Sequence, residues 1–253
     1  MTTIALYSNK GGVGKTTTAV NLAYLAAQLG NSVLICDLDP QSSTTFYFRV
    51  KPKLKPKARG FIRANRHLDR SVKGTDYENL DLLPADFTHR NLDIIFDGLR
   101  RRKYRLEVII EHFKNDYDFI FLDCPPTINI VAENIFNSAD YLLVPLIPTT
   151  LSSRSHKMLL KFLGENNYRS ESVYGFLSMI DYGNELHQSM KTYIRNRFDR
   201  ILNTTIPYFL QVEKMGHFRE PVQAYAPESP ATTAYHNLWN EFTQRINSPR
   251  DFH

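Results

Sequence analysis

The stretch YSNKGGVGKTTTAV, from Tyr7 to Val20, sets two lysines, Lys10 and Lys15, around a run of glycines. Glycine backbone N–H groups can cradle phosphate oxygens, a lysine can reach the β and γ oxygens, and the hydroxyl that follows can hold Mg²⁺. Gly14, Lys15 and Thr16 fit the last three places of the phosphate-loop pattern G-x-x-x-x-G-K-[ST]. Asn9 stands where that pattern has its first glycine, and beside it Lys10 is a lysine that the ordinary loop does not use. One lysine is enough to hold a nucleotide's phosphates, so the second needs another role.

Two acidic motifs follow. LICDLDPQSS ends an apolar run on Asp37 and Asp39, with Pro40 breaking the strand and starting a helix. In YDFIFLDCPP an apolar strand ends on Asp123, in the manner of the Walker-B aspartate that binds Mg²⁺ through water in phosphate-loop nucleoside triphosphatases. Aspartates also cap strands and helices, and either motif alone leaves that reading open. Together with the glycine loop they point to a nucleotide and its metal.

Those residues need a scaffold. Short apolar runs alternate with helical patterns: strands at TIALYS, SVLICDLD, LDLLPA, DFIFLD, YLLVPLI, VYGFLSMI and a shorter one near NTTIP. Helices are predicted over 15–29 with Gly30 as C-cap, and over about 88–114, 128–138, 152–164, 184–200 and 231–246. Doubly buried strands separated by helices imply an α/β fold, a doubly wound, mostly parallel sheet with helices on both faces. Such sheets bind ligands at the carboxyl ends of their strands, where all three motifs end. The length of 253 residues, 42% of them hydrophobic, fits one large domain over 1–253. No apolar stretch is long enough for a membrane span and the N-terminus lacks signal-peptide features, so a cytoplasmic protein is expected. Cys36 and Cys124, each beside an aspartate, read as reduced packing residues rather than as a disulfide or metal site. A net charge of +5 permits a nucleic-acid or acidic-lipid partner without requiring one.

KGGVGKTT, DLDPQ and LDCPP, in this order and spacing, resemble the deviant Walker-A ATPases of the ParA/MinD family, and the likeness extends through NLDLLPADF, ADYLLVPLIPT and REPVQAYAPESPATTAYHNL. The resemblance implies an ATP-bound homodimer in which Lys10 crosses to the partner's phosphates. It also implies that Lys15 contacts the β and γ phosphates, Thr16 the Mg²⁺ and Thr17 the α-phosphate. The backbone from Gly11 through Gly12 and Val13 to Gly14 would face the bridging oxygens. Asp39 would orient the attacking water, and Asp37 and Asp123 would hold the metal's water shell. For the adenine it suggests Met179, Pro207 and Phe209, all of which could equally be core residues.

Several branches of that family part from this sequence. The ending RINSPRDFH offers no basic amphipathic membrane anchor, the two cysteines do not match an iron-sulfur dimer interface, and no tyrosine-rich tail is present. A first strand at about Thr3 leaves no room for an N-terminal helix-turn-helix. The short ParA type remains, which implies nonspecific double-stranded DNA, a nucleoid-associated location and a ParB-like or other cargo adaptor. Nonspecific binding needs cations on phosphates. Lys191, Arg195, Arg197 and Arg200 in HQSMKTYIRNRFDR could supply them, joined by Lys214 and Arg219, although an ordinary solvated helix face reads the same way. The basic stretches RVKPKLKPKARGFIRANRHLDR and LRRRKYR read as solvated segments that could also meet DNA or a partner. The expectation is a Mg²⁺-dependent ATPase whose cargo is a plasmid or chromosome, or a protein body such as a carboxysome. The alternatives are a phosphate-loop small-molecule kinase or ligase, and a nucleotide switch with negligible turnover.

Overall fold

Val33–Asp37 is buried at every position, and a strand buried on both faces must be covered by helices on both. The computed structural model describes residues 1–51, 66–85 and 91–248. Its elements run β1 (Thr2–Leu6), α1 (Lys15–Gln28), β2 (Val33–Asp37), α2 (Ser43–Tyr47), α3 (Arg66–Asp69), β3 (Lys73–Gly74), β4 (Leu80–Leu83), α4 (Leu92–Asp97), α5 (Arg105–His112) and β5 (Phe119–Asp123). They continue with α6 (Ile130–Ser138), β6 (Tyr141–Leu146), α7 (Thr150–Glu165), β7 (Val173–Ile180), α8 (Glu185–Arg197) and β8 (Ile201–Pro207). Three short helices, α9 (Leu210–Glu213), α10 (Met215–Phe218) and α11 (Val222–Tyr225), lead to α12 (Pro230–Asn247).

The strands form one sheet in the order β3-β4-β2-β5-β1-β6-β7-β8. Every pairing is parallel except β3 on β4. This is the α/β, mostly parallel sheet expected from the strand pattern. The period-2 alternation of a strand sorts its side chains into two cores. Ala5 and Tyr7 join the layer under α5 to α8, whereas Ile4 and Leu6 join the layer under α1 and α12. Register then does the positioning: Leu6 and Asp37 are both Cα partners of Asp123, so β1, β2 and β5 end side by side.

Three features depart from the expected elements. Among the described residues of 88–114, α4 and α5 are separate helices, joined by Arg101 in the left-handed region (φ 57) and a 3₁₀ turn, Arg102–Tyr104. The cause lies in α6. Asn134 Nδ2 donates to the Arg102 carbonyl at 2.8 Å and Asn137 Nδ2 to the Lys103 carbonyl at 2.9 Å, while Asn134 Oδ1 accepts from the Arg105 and Leu106 N–H groups. Carbonyls and N–H groups taken in this way cannot continue one helix. Helix α8 stops at Arg197, because Phe198 turns extended and packs edge-on against His156 at 4.8 Å, so Arg200 lies beyond the helix. The two-residue β3 and the short helices α9 to α11 went unanticipated. Most of the basic 49–70 stretch (52–65) and the tail 249–253 lie outside the described residues.

His156 is 3% exposed, its Nδ1 is buried without a hydrogen-bond partner, and burial pushes its pKa down to about 4. A depressed imidazole leaves the folded state neutral while the unfolded chain takes a proton, so its cost is absent above pH ~6.5 and grows as pH falls toward 4. Comparing His156→Gln with the parent by urea unfolding from pH 7 to 4.5 should show the parent losing roughly 2–3 kcal/mol more over that interval.

Candidate active site

The 7–14 turn between β1 and α1 opens the site. Tyr7 is tied to the segment after β5 by its hydroxyl, which donates to the Thr127 carbonyl at 2.9 Å. The turn then needs left-handed backbone at Gly12 (φ 69) and Gly14 (φ 92), the latter being the N-cap residue of α1. Gly14 has a second reason to be glycine, since a Cβ there would stand 3.0 Å from Ser178 Oγ. Over Gly11 and Gly12 the space a Cβ would take is open, so the loop's backbone is bare toward the pocket. No acidic side chain occupies the first turn of α1, which keeps that helix N-terminus favourable to an anion.

Lys15 is 7% exposed and its Nζ donates to the Lys10 carbonyl at 3.0 Å. Burial lowers its pKa, while Asp123, Cys124 and Asp39 pull the other way. Lys10 is half-buried and stands apart from this centre. It lines a small crevice with Ser8, Asn9 and Val13 and, across from them on α7, Ser152, Ser155 and His156.

Beneath the loop lie two carboxylates in register. Asp123 is fully buried, and its Oδ2 accepts from Thr44 Oγ1 at 2.8 Å. Its Oδ1 is buried without a hydrogen-bond partner, and the nearby Thr16 hydroxyl and Lys15 moderate a pKa that burial raises. Asp37, expected to face the metal's water shell, is bound mainly by the chain around it. Its Oδ2 accepts from the Thr45 N–H at 2.8 Å and the Thr45 hydroxyl at 2.7 Å, and its Oδ1 accepts from the Asp39 N–H at 3.2 Å. Both oxygens accept from the chain itself, Oδ2 through two bonds and Oδ1 through one, and burial beside Asp123 raises its pKa. Asp39 is more open, with its Oδ1 accepting from the Gln41 N–H at 2.9 Å. Cys36 and Cys124 are free thiols, buried and pushed up in pKa by that burial.

A pocket of 580 Å³ begins at Gly11, Gly12, Gly14, Lys15, Thr16, Thr17 and Asp39 and extends to Met179, Pro207 and Phe209. The loop residues and the three apolar residues expected around a base thus share one cavity, while Val13 faces the crevice instead. Met179 sits in left-handed backbone (φ 54), where the β7–β8 register slips. Tyr47, Pro126, Ser178 and Tyr208 also line the pocket and went unnamed from the sequence. The position of Tyr208 between Pro207 and Phe209 was a usable signal. Tyr47 carried none, because it arrives through α2. Among the described residues, no group of three or more His, Cys, Asp or Glu side chains could hold a metal ion by itself. A cation here would have to share Thr16 and the free oxygen of Asp123 with a ligand's own oxygens.

The basic residues divide. Arg197 is exposed. Lys191 stacks over Tyr182, and Arg200, itself exposed, stacks over Tyr174 and donates to its hydroxyl at 3.2 Å. Arg195 is turned onto the edge strand, donating to the Asn203 carbonyl. Lys214 is exposed, but Arg219 does not join the α8 group. Its guanidinium lies over the Phe46 ring at 4.4 Å and its Nε donates to the Phe46 carbonyl, which fixes it to the segment after β2. Among the described residues, no helix is long and apolar enough to cross a membrane.

A family model described as an AAA domain matches residues 1–172. Over 250 residues the chain is 28% identical to the chromosome partitioning protein ParA of Caulobacter vibrioides, covering 96% of this chain and 94% of that protein. Its fold matches that of a plasmid partition protein from Borrelia burgdorferi with a TM-score of 0.79, at 23% identity over 97% of this chain and 99% of that one. It matches equally well a cobyrinic acid a,c-diamide synthase from Mycobacterium smegmatis with bound ADP and magnesium, with a TM-score of 0.81 at 22% identity over 98% and 96% of the two chains.

The loop's geometry separates two of its glycines. Gly14→Ala meets both a left-handed φ and the Ser178 hydroxyl and should cost about 1–2 kcal/mol, read as a fall of several degrees in Tm. Gly11→Ala, with open space and no left-handed φ, should stay within about 0.5 kcal/mol of the parent by the same measurement.

Proposed function

Because the chain belongs to the AAA-domain family as a P-loop ATPase of the ParA type, we propose that it is a Mg²⁺-dependent ATPase that dimerises around ATP and binds duplex DNA without sequence preference as that dimer. Hydrolysis, stimulated by a ParB-like or other adaptor on the cargo, then releases it. The cargo is a plasmid or a chromosome, and the protein works in the cytoplasm on the nucleoid. The observation that carries this reading is the separation of the two lysines. Lys15 lines the large pocket of its own chain, whereas Lys10 lines a different crevice beside α7, an arrangement that supports a role for Lys10 toward a second copy.

Phosphoryl transfer is catalysed mainly by positioning and by neutralising charge. Thr16 and the free oxygen of Asp123 would hold the magnesium ion, whose charge offsets that of the phosphate oxygens. Lys15 leaves the Lys10 carbonyl to meet the phosphates, and the N–H groups of the glycine turn and the Thr17 hydroxyl complete the cradle. Asp39, on the open side of the pocket, orients the attacking water. Met179, Pro207, Phe209 and Tyr208 enclose the base. A cation contributed in trans by Lys10 acts as an arginine finger does and makes dimerisation a condition of turnover.

Because the fold is shared with a diamide synthase, the sheet alone does not separate a partition ATPase from a ligase. Lys10→Ala and Lys15→Ala do. Lys15→Ala should lose ATP binding outright in a calorimetric titration, while Lys10→Ala should bind ATP as a monomer yet neither dimerise nor turn over. Asp39→Ala should bind ATP and accumulate as a dimer in light scattering. Equal loss of nucleotide binding in both lysine variants, or ATP turnover only with a small-molecule acceptor, would remove the partition reading.

For the DNA surface, two-fold pairing doubles the cations brought to one duplex, so affinity should depend steeply on ATP. With Mg²⁺-ATP, binding to random-sequence duplex should fall with salt at a log–log slope of about 0.9 per phosphate contact. Arg197→Ala and Arg200→Ala should flatten that slope and leave DNA-free hydrolysis unchanged. Arg195→Ala should have a smaller effect on DNA and a larger one on stability, since its guanidinium serves β8. Unchanged DNA affinity in a Lys191, Arg197, Arg200 triple glutamate variant would move the interface elsewhere.

A further inference from the structure

Asp39 is carried by the loop between β2 and α2, and that loop hangs from below. Helix α2 is only five residues long, and its Thr44 and Thr45 are 0% and 1% exposed. Their hydroxyls go to different strands. Thr44 Oγ1 donates to Asp123 Oδ2 on β5 at 2.8 Å, and Thr45 Oγ1 donates to Asp37 Oδ2 on β2 at 2.7 Å. Consecutive side chains on a helix diverge by about 100°, so two neighbours reach two carboxylates only where those carboxylates end adjacent strands in register. Asp37 and Asp123 are such a pair.

The Thr45 hydroxyl is used twice, since it also accepts from the Ala85 N–H at 3.0 Å, just beyond β4. Asp37 in turn accepts from the Asp39 N–H. A chain of hydrogen bonds therefore runs from the end of β4 through Thr45 and Asp37 to the backbone of Asp39, which makes its own turn with Ser42 N–H donating to the Asp39 carbonyl at 2.9 Å. Valine has nearly the shape of threonine, so packing alone gives no reason for a hydroxyl with two partners at a site without solvent.

We propose that Thr45 is a positioning residue for hydrolysis, which through Asp37 fixes the loop that aims Asp39, and that Thr44 holds one oxygen of Asp123 so that only the other faces Thr16. Asp37 is the anchor of that loop rather than a holder of the metal's water shell. The inference rests on the ATPase reading of this site.

The test uses the full chain with Thr45→Val, which removes the hydroxyl and keeps the shape, and Thr45→Ser, which keeps the hydroxyl. Thr45→Val should lower kcat for ATP hydrolysis about tenfold to a hundredfold, because the loss is one of aim. ATP affinity by titration should change less than about threefold, since Thr45 touches nothing in the pocket. Thr45→Ser should restore most of kcat. Hydrogen–deuterium exchange of the ligand-free protein supplies a readout independent of turnover: peptides spanning 37–46 should exchange faster in Thr45→Val and at the parent rate in Thr45→Ser. Thr44→Val should instead raise the Mg²⁺ concentration needed for half-maximal activity, with kcat recovered at saturating Mg²⁺. If Thr45→Val does not fold by circular dichroism, Thr45→Ala takes its place. Parent-like kcat in the hydroxyl-free variant, equal losses in affinity and kcat, or a folded Thr45→Ser that fails to recover would each overturn the proposal. A parent protein that hydrolyses no ATP would sink the ATPase reading instead, and exchange of the 37–46 segment alone would then decide whether Thr45 holds the loop.

Discussion

Two carboxylates buried side by side, Asp37 and Asp123 at 1% and 0% exposure, are the constraint around which the rest of the site is arranged. Burial raises the pKa of both, Asp123 raises that of Asp37 further and Asp39 that of Asp123, so ionising the pair costs folding free energy at neutral pH. A sheet that needed only stability would not end two adjacent strands in this way. The neighbouring residues reduce the cost. Thr44 and Thr45 donate to the carboxylates, the Thr45 and Asp39 N–H groups add two more bonds, and Lys15 brings a cation against Asp123. What is left over is the unpartnered Oδ1 of Asp123, beside Thr16 and under the glycine turn. An uncompensated buried lone pair is worth keeping where a ligand will meet it.

The same constraint explains why α2 matters beyond its five residues. Its first turn is pinned to the carboxylates, and its next residue, Phe46, holds Arg219 by ring face and by carbonyl. Arg49, shortly after, is ion-paired with Glu220. The loop bearing Asp39 and the 214–220 segment are thus both joined to α2 and the residues just after it. Arg219 is therefore tied to α2 and the segment after it, apart from the basic residues of α8.

Strand positions, helix faces and the phosphate loop were legible in the sequence because each rests on local rules: apolar runs, period-3.6 helices and glycines where φ must be positive. What was not legible depends on partners far along the chain. The split of α4 from α5 is imposed by Asn134 and Asn137, roughly thirty residues on. The hydrogen bonds of Asp37 and Thr45 depend on where α2 and Ala85 come to lie, and nothing in the spacing of DLDPQSSTT says which oxygen a threonine will take. Phe198 likewise ends α8 by packing on His156, so a basic periodicity that ran through Arg200 on paper is cut short in space.

The second lysine shows how placement can carry more functional information than residue type. In a pattern, Lys10 and Lys15 are two cations on one loop. In the fold, the Lys10 carbonyl accepts from the Lys15 ammonium, and Lys10 lines the crevice beside α7 rather than the pocket that Lys15 lines. A loop built only to grip a nucleotide would gain from turning both charges inward, because charge neutralisation is the main thing phosphates reward. On the proposed reading, a charge held outside the pocket gives up affinity in the single chain and serves a phosphate group presented from outside. On that reading, the phosphate belongs to a nucleotide held by a second copy of the chain, so the spacing of the two lysines would separate nucleotide binding from dimerisation.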